Sequence, residues 1–239
     1  MNRLRKELNR LVGTAVHRYR LLEPGDRIAV AVSGGSDSLL ALWFLRRWRE
    51  KAPIRFSLLP VHLDMGFAGA DTGALRAHLA AEGGFHMEET DYGPRAHGPE
   101  NREKSPCFLC ARLRRKRLFE LAHRLGCNKL ALGHNQDDIL HTFFLNMLFG
   151  GELSTLVPRV DMFGGRLALI RPLALADKAR IDRLARELGL PVVPNPCPSA
   201  GKTRREEVRR LLDGLFRRDP RIRGNLFHAL SNVRPDYLL

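Results

Sequence analysis

The sequence predicts an α/β fold: an open, mostly parallel five-stranded sheet with helices on both faces, flanked by basic helices at its N- and C-terminal ends. Three observations lead there. Short β-prone apolar runs alternate with helix-length amphipathic stretches, the pattern of repeated strand–helix–strand units. The first such run stops at a Ser/Gly turn that opens directly into a helix. Of 239 residues, 44% are hydrophobic and 28% charged, a globular composition that argues against a disordered tail, a collagen-like fibre or a disulfide scaffold.

The elements follow in order. Leu4, Leu8, Leu11, Val12 and Ala15 make one face of a basic helix over about residues 2–20. Asp26 to Val32 reads as a buried strand, and 37–50 as a helix whose basic end, Arg46, Arg47 and Arg49, suits a C-terminus. Ile54 to Leu63 is a second strand, 71–82 a second helix and Phe85 to Glu89 a third strand. Asp91 to Pro106, with Gly93, Pro94, Gly98 and Pro99, reads as an inserted loop before a basic helix over 108–125. Asn128 to Gly133 and Arg166 to Ile170 are the remaining strands, followed by helices at Asp137 to Phe149 and Asp177 to Leu188. The expected organisation is one domain over 1–239: an N-terminal helix to 22, a nucleotide-binding core over 23–190, and a Pro-rich, then basic segment over 191–239.

Charge and thiols narrow the function classes. Lys and Arg number 40 against 26 Asp and Glu, a net +14, which points to a polyanionic partner. The positive residues fall into three blocks: Arg3 to Arg20, the helix bearing Arg112, Arg114, Arg115, Lys116 and Arg117, and Lys202 to Arg223. Few aromatics lie among them, so a folded RNA read by shape fits better than a stacking platform for single strands. No apolar run reaches the roughly 18 residues of a membrane span, and the N-terminus has no secretory apolar region. With four cysteines this predicts a reducing, cytoplasmic setting with no membrane partner.

Three motifs carry chemistry. Ser33, Gly34, Gly35, Ser36, Asp37 and Ser38 lie between strand and helix, where glycines admit an anion and free N–H groups meet it. Asp37 has the wrong sign for phosphate and makes sense with Mg²⁺ between them; a plain glycine turn with an aspartate cap is the bland alternative. Gly133, His134, Asn135, Gln136, Asp137 and Asp138 end another strand of the same sheet, so both motifs belong to its ligand-binding edge. The two carboxylates would coordinate metal, orient substrate or simply cap a helix. Cys107 and Cys110 open the basic helix and Cys197 stands among prolines. Three thiols suit a cluster with an open iron or a catalytic zinc; a CxxC redox pair and unconnected thiols are the other readings. Cys127 reads as a small buried hydrophobe.

Together SGGSDS, CFLCARLRR, LALGHNQDDILHTFFLNMLFGG, IRPL and the final NVRPDYLL resemble the TtcA family of tRNA 2-thiocytidine synthetases, members of the PP-loop ATP pyrophosphatases. The resemblance implies a PP-loop ATPase fold of the adenine nucleotide alpha-hydrolase type. It implies that Ser33 to Ser38 bind the pyrophosphate part of ATP with Asp37 near Mg²⁺. Val61 and Leu63 would border the nucleotide with Gly133 and His134, and Asp137 and Asp138 would belong to the catalytic edge. Cys107, Cys110 and Cys197 would hold a [4Fe–4S] cluster. ATP would adenylate the C2 oxygen of an anticodon-loop cytidine in tRNA, and sulfide from a cysteine desulfurase or another donor would displace AMP. A homodimer is compatible with it. Two departures stand out: the family pattern has Lys where this chain has Ser36, and His-Arg where it has Asn135-Gln136. Competing readings are another PP-loop tRNA modifier, a 2-thiouridine thiolase or a lysidine synthetase, or a non-catalytic RNA-binding protein built around zinc.

Overall fold

The structure is a computed structural model that describes residues 3–69, 72–81, 83–99, 101 and 105–237. In chain order the elements are α1 (Arg3–Arg18), β1 (Arg27–Ala31), α2 (Ser36–Lys51), β2 (Ser57–Asp64), α3 (Gly73–Ala80), β3 (His86–Glu89), α4 (Tyr92–His97), α5 (Pro106–Arg124), β4 (Lys129–Ala131) and α6 (Gln136–Leu145). A π-helical turn (Asn146–Gly150), β5 (Arg159–Met162), β6 (Leu167–Ile170), α7 (Lys178–Glu187), α8 (Arg204–Arg218) and α9 (Arg221–Ala229) follow, with a short 3₁₀ turn at Pro235–Tyr237. Among the described residues no helix is long and apolar enough to cross a membrane.

Contacts group the chain into two compact units, residues 1–135 with 157–200, and residues 136–156 with 201–239. The segment expected from residue 191 is thus shared, 191–200 going with the sheet and the rest with α6.

The sheet unit is built on strand order β3-β2-β1-β4-β6-β5. All five predicted strands are present and pair in parallel, Ile28 facing Leu58 on one side and Lys129 on the other. Because strand side chains alternate, Ile28 and Val30 join one apolar cluster with Leu39, Leu42 and Phe44, while Ala29 joins another with Leu121 and Leu130. Full burial of Phe44 alone stabilises by about 1.5–3 kcal/mol. The chain leaves β1 toward β2 on one side and later returns through β4 on the other. Their C-terminal ends therefore frame the crevice at which open α/β sheets bind ligands.

Three elements differ from expectation. The sheet has a sixth strand, β5, antiparallel to β6 at the edge; three of its four residues are half-buried and Asp161 is exposed, too short and polar to register as a strand. The expected insertion contains α4, whose Pro94 sits in the first turn, where a missing N–H costs nothing. The helix from Asp137 widens into π geometry at Asn146 and stops at Gly151, whose φ of 67° is left-handed. Residues 71 and 82, the predicted ends of the second helix, lie outside the described residues; the helix itself is α3.

The helical unit comprises α6, the π turn, α8 and α9. Thr203 caps α8 by accepting from the Glu206 N–H. Leu140, Val208 and Leu212 are its buried apolar cluster.

Candidate active site

β1 runs into the loop through Val32, whose N–H donates to the Val61 carbonyl (2.8 Å) and whose carbonyl accepts from His62 Nδ1 (2.7 Å). Gly34 has φ 88°, a conformation glycine adopts freely, and a Cβ there would lie 3.1 Å from Val193. Ser38 Oγ accepts from the Ser33 N–H (3.0 Å) and donates to the Gly35 carbonyl (2.9 Å), so this hydroxyl shapes the loop from within. A Cβ on Gly133 would lie 2.8 Å from the Ser38 nitrogen: only glycine lets the exit of β4 press against the first turn of α2. Two of the sequence motifs are thereby fused at one sheet edge.

Asp37 is clamped from two sides. Asn135 Nδ2, on a residue only 2% exposed, donates to Oδ1 (2.9 Å), and Lys178 Nζ donates to Oδ2 (2.6 Å). Lys178 also donates to Ser36 Oγ (2.9 Å) and meets Asp182 Oδ1 (2.9 Å), to which Ser36 Oγ itself donates (2.5 Å). Burial works against the ammonium, but Asp37 and Asp182 outweigh it and push Lys178 above the ordinary lysine value. Neither Lys178 nor Asp182 stands out in the sequence motifs. One signal was there: a lysine in the first turn of α7 opposes the helix dipole, so something else must hold it.

Val61 and Leu63 are buried in the apolar cluster beside Leu130. Asp64 accepts from the Gly66 N–H (2.8 Å) and shapes the turn after β2. His134 Nδ1 accepts from Arg171 Nε (3.2 Å), which places its ring proton on Nε2. Arg171, of the IRPL motif, is 5% exposed and also donates to the Val157 carbonyl.

Cys107 and Cys110 lie on the opening turns of α5, begun by Ser105 as N-cap and Pro106. Burial pushes the Cys110 thiol up, with Arg114 opposing and the neighbouring Cys197 and Cys107 adding to the rise, so Cys110 lies within electrostatic reach of both other thiols. Cys197 Sγ also lies 3.9 Å from His97 Nε2. That imidazole is fixed by the Gly93 carbonyl and Ser199 Oγ, both at 2.9 Å. His97 lies in the segment expected to be loop, which offered no signal for it. Three soft thiolate donors suit an iron–sulfur cluster, in which each binds a different iron. Among the described residues no three His, Cys, Asp or Glu side chains close around a single ion. Cys127 is 7% exposed within the core, its thiol pushed up by burial.

In the helical unit Asp137 is 8% exposed and paired with Arg223, while Asp138 accepts from Arg205 (3.1 Å). His141, one turn along α6, is held below its ordinary value by burial, helped by Arg205, against the opposing carboxylates of Asp137, Asp138 and Asp213. Of the basic helix, Arg112, Arg114, Arg115 and Lys116 are exposed. Arg117 instead grips Glu88 in a two-pronged pair (2.6 and 2.8 Å) and is withdrawn from this exposed basic block.

The PP-loop domain family matches residues 2–214. The tRNA-cytidine(32) 2-sulfurtransferase of Geobacter sulfurreducens is 40% identical over 98% of this chain and 92% of its own length. That of Syntrophotalea carbinolica is 40% identical over 100% and 93%. Among solved structures, the U34-tRNA thiolase NcsA from Methanococcus maripaludis with its [4Fe-4S] cluster superposes with a TM-score of 0.77, covering 96% of this chain and 78% of that one; at 23% identity the likeness is one of fold.

Proposed function

The chain belongs to the PP-loop domain family and, within it, to the tRNA-cytidine(32) 2-sulfurtransferases, and from that premise we propose that it adenylates the C2 oxygen of cytidine 32 in tRNA and replaces that oxygen by sulfur. The observation that carries the reading is the pairing, in one sheet unit, of a phosphate-type loop with a group of three thiols. Activation and sulfur delivery each need one of them.

The loop N–H groups and the start of α2 receive the triphosphate, since a helix N-terminus offers donors and a favourable dipole. Asp37, oriented by Asn135, is the side chain that would hold Mg²⁺, whose chemistry is to neutralise phosphate charge. The cytidine C2 oxygen attacks the α-phosphorus, the bond from that phosphorus to the bridging oxygen breaks, and pyrophosphate leaves with the electron pair. Sulfide then adds to C2, and AMP departs carrying the former carbonyl oxygen. Cys107, Cys110 and Cys197 would hold a [4Fe–4S] cluster, which supplies an iron free of protein ligands for the incoming sulfur. Asp137 and Asp138 carry over from the family motif as candidates for orienting substrate. Exposed arginines on α5 and α8 supply charge for the RNA backbone. The sulfur comes from a cysteine desulfurase or another sulfide donor, in the reducing cytoplasm that suits four free thiols.

The test is anaerobic preparation with iron and sulfide analysis, followed by incubation with tRNA, ATP, Mg²⁺ and sulfide and mass spectrometry of the digested nucleosides. About four irons per chain, pyrophosphate release and 2-thiocytidine are expected, and Cys197→Ala should lose the iron. Zinc without iron, or no thiolated nucleoside, would overturn the reading; 2-thiouridine would transfer it to a uridine thiolase.

A further inference from the structure

The protein carries a net +14, yet its phosphate-type loop contains no cation and one carboxylate, Asp37. At Ser36, where the family pattern has a lysine, the chain offers only a hydroxyl. The structure fills that place from a distance. Lys178, 142 residues further along, brings its ammonium to 2.9 Å from Ser36 Oγ, 2.6 Å from Asp37 Oδ2 and 2.9 Å from Asp182 Oδ1. Its three N–H bonds have three acceptors, and its side chain is still 41% exposed, within reach of a ligand. The site holds this cation against both burial and the α7 dipole, and a salt bridge that served only to join two helices would not need to involve the loop hydroxyl.

We propose that Lys178 is the catalytic cation of the phosphate loop: it hydrogen-bonds the outer phosphates of ATP and neutralises pyrophosphate as the bond to the α-phosphorus breaks. The proposal rests on the ATP-dependent reading above. Phosphate oxygens compete with Asp37 for the ammonium, while Asp182, one turn further along α7, keeps its stem aimed at the loop. Ser36 donates to Asp182 and accepts from Lys178, so it serves as a spacer where a second cation would repel the first.

The experiment uses cluster-loaded protein with tRNA and follows pyrophosphate release, inhibition by added pyrophosphate, iron content and thermal unfolding. Lys178→Met should lower kcat by roughly 10²–10³-fold, the loss typical of removing one charge-stabilising donor, and weaken pyrophosphate inhibition at least about tenfold, with iron content unchanged. Returning the charge to the loop in Ser36→Lys/Lys178→Met should recover about tenfold or more of the activity. A purely structural lysine would not be rescued from Ser36. In the unmutated protein, pyrophosphate should shield Lys178 from amine acylation, read by peptide mass spectrometry, a measurement independent of whether the variants fold. Lys178→Met with near-normal kcat and pyrophosphate inhibition, loss without rescue, or no shielding would each overturn the proposal. Wild-type protein that releases no pyrophosphate would sink the ATP reading as well, which separates the two failures.

Discussion

In the sheet unit, β1 feeds apolar clusters on both of its faces, and Lys129, at 2% exposure the most deeply buried cation among the described residues, is answered by Asp26 (2.8 Å) and Glu23 (2.7 Å). In the helical unit, the apolar cluster has Leu140, Val208 and Leu212 as its buried members, and charge is balanced largely by arginines: Arg223 on Asp137, Arg205 on Asp138, Arg209 on Glu206. The contrast teaches where each unit is vulnerable. A large core makes the sheet tolerant of solvent conditions and intolerant of unpaired buried charge; a small core makes the helices responsive to pH and salt.

The largest effect is expected from Lys129→Met, which leaves Asp26, 3% exposed, without its cation. A loss of about 3–5 kcal/mol in urea unfolding follows from breaking a buried pair; adding Asp26→Asn should recover part of it, and failure to do so would remove the electrostatic explanation. Next comes Leu212→Ala, at about 2–3 kcal/mol, the low end for such truncations because a small cluster collapses readily. Hydrogen exchange should accelerate in α6, α8 and α9 while β1 and β4 keep their protection, and equal acceleration in the strands would break the contrast.

Titration sharpens it further. His141 is held below its ordinary value of 6.5, so the unfolded chain takes up the proton first; the stabilising neutral form is lost as pH falls below about 6.5. Glu88 is held below its ordinary 4.5 by Arg117, so its contribution survives above 4.5 and fades only as pH falls through the lower folded value. Acidification should therefore loosen the helical unit first, as followed by exchange at pH 5 against pH 7, and His141→Gln should flatten that dependence. The smallest effect is that of Arg183→Ala. Its i,i+4 partner Glu187 is on the surface of α7, and the change in thermal stability should not exceed about 0.5 kcal/mol.

Much of the fold was legible because its signals are local. The five parallel strands follow from short apolar runs, the loop from two adjacent glycines, and the Cys107–Cys110 pair from i,i+3 spacing on one helix. β5 was missed because an exposed edge strand needs no apolar run, and α4 because its glycine and proline read as a turn. The site was legible in its backbone and much less so in its charges. Asn135 stood out only as a departure from a pattern, yet it orients Asp37 from 98 residues away. Lys178 and Asp182 follow no motif, yet they reach the loop from 142 and 146 residues away.

By itself the sequence determined what depends on near neighbours: strand and helix periods, the glycine turn after β1, the basic helix that carries the CxxC, the surplus of cationic charge and the family to which these motifs belong. The tertiary structure decided which charges meet. Coulomb and hydrogen-bond energies depend on separation in space, within a few ångströms, and are indifferent to the number of residues between the partners. The cation at the loop therefore became visible only when α7 folded against α2 and brought Lys178 to Ser36 and Asp37.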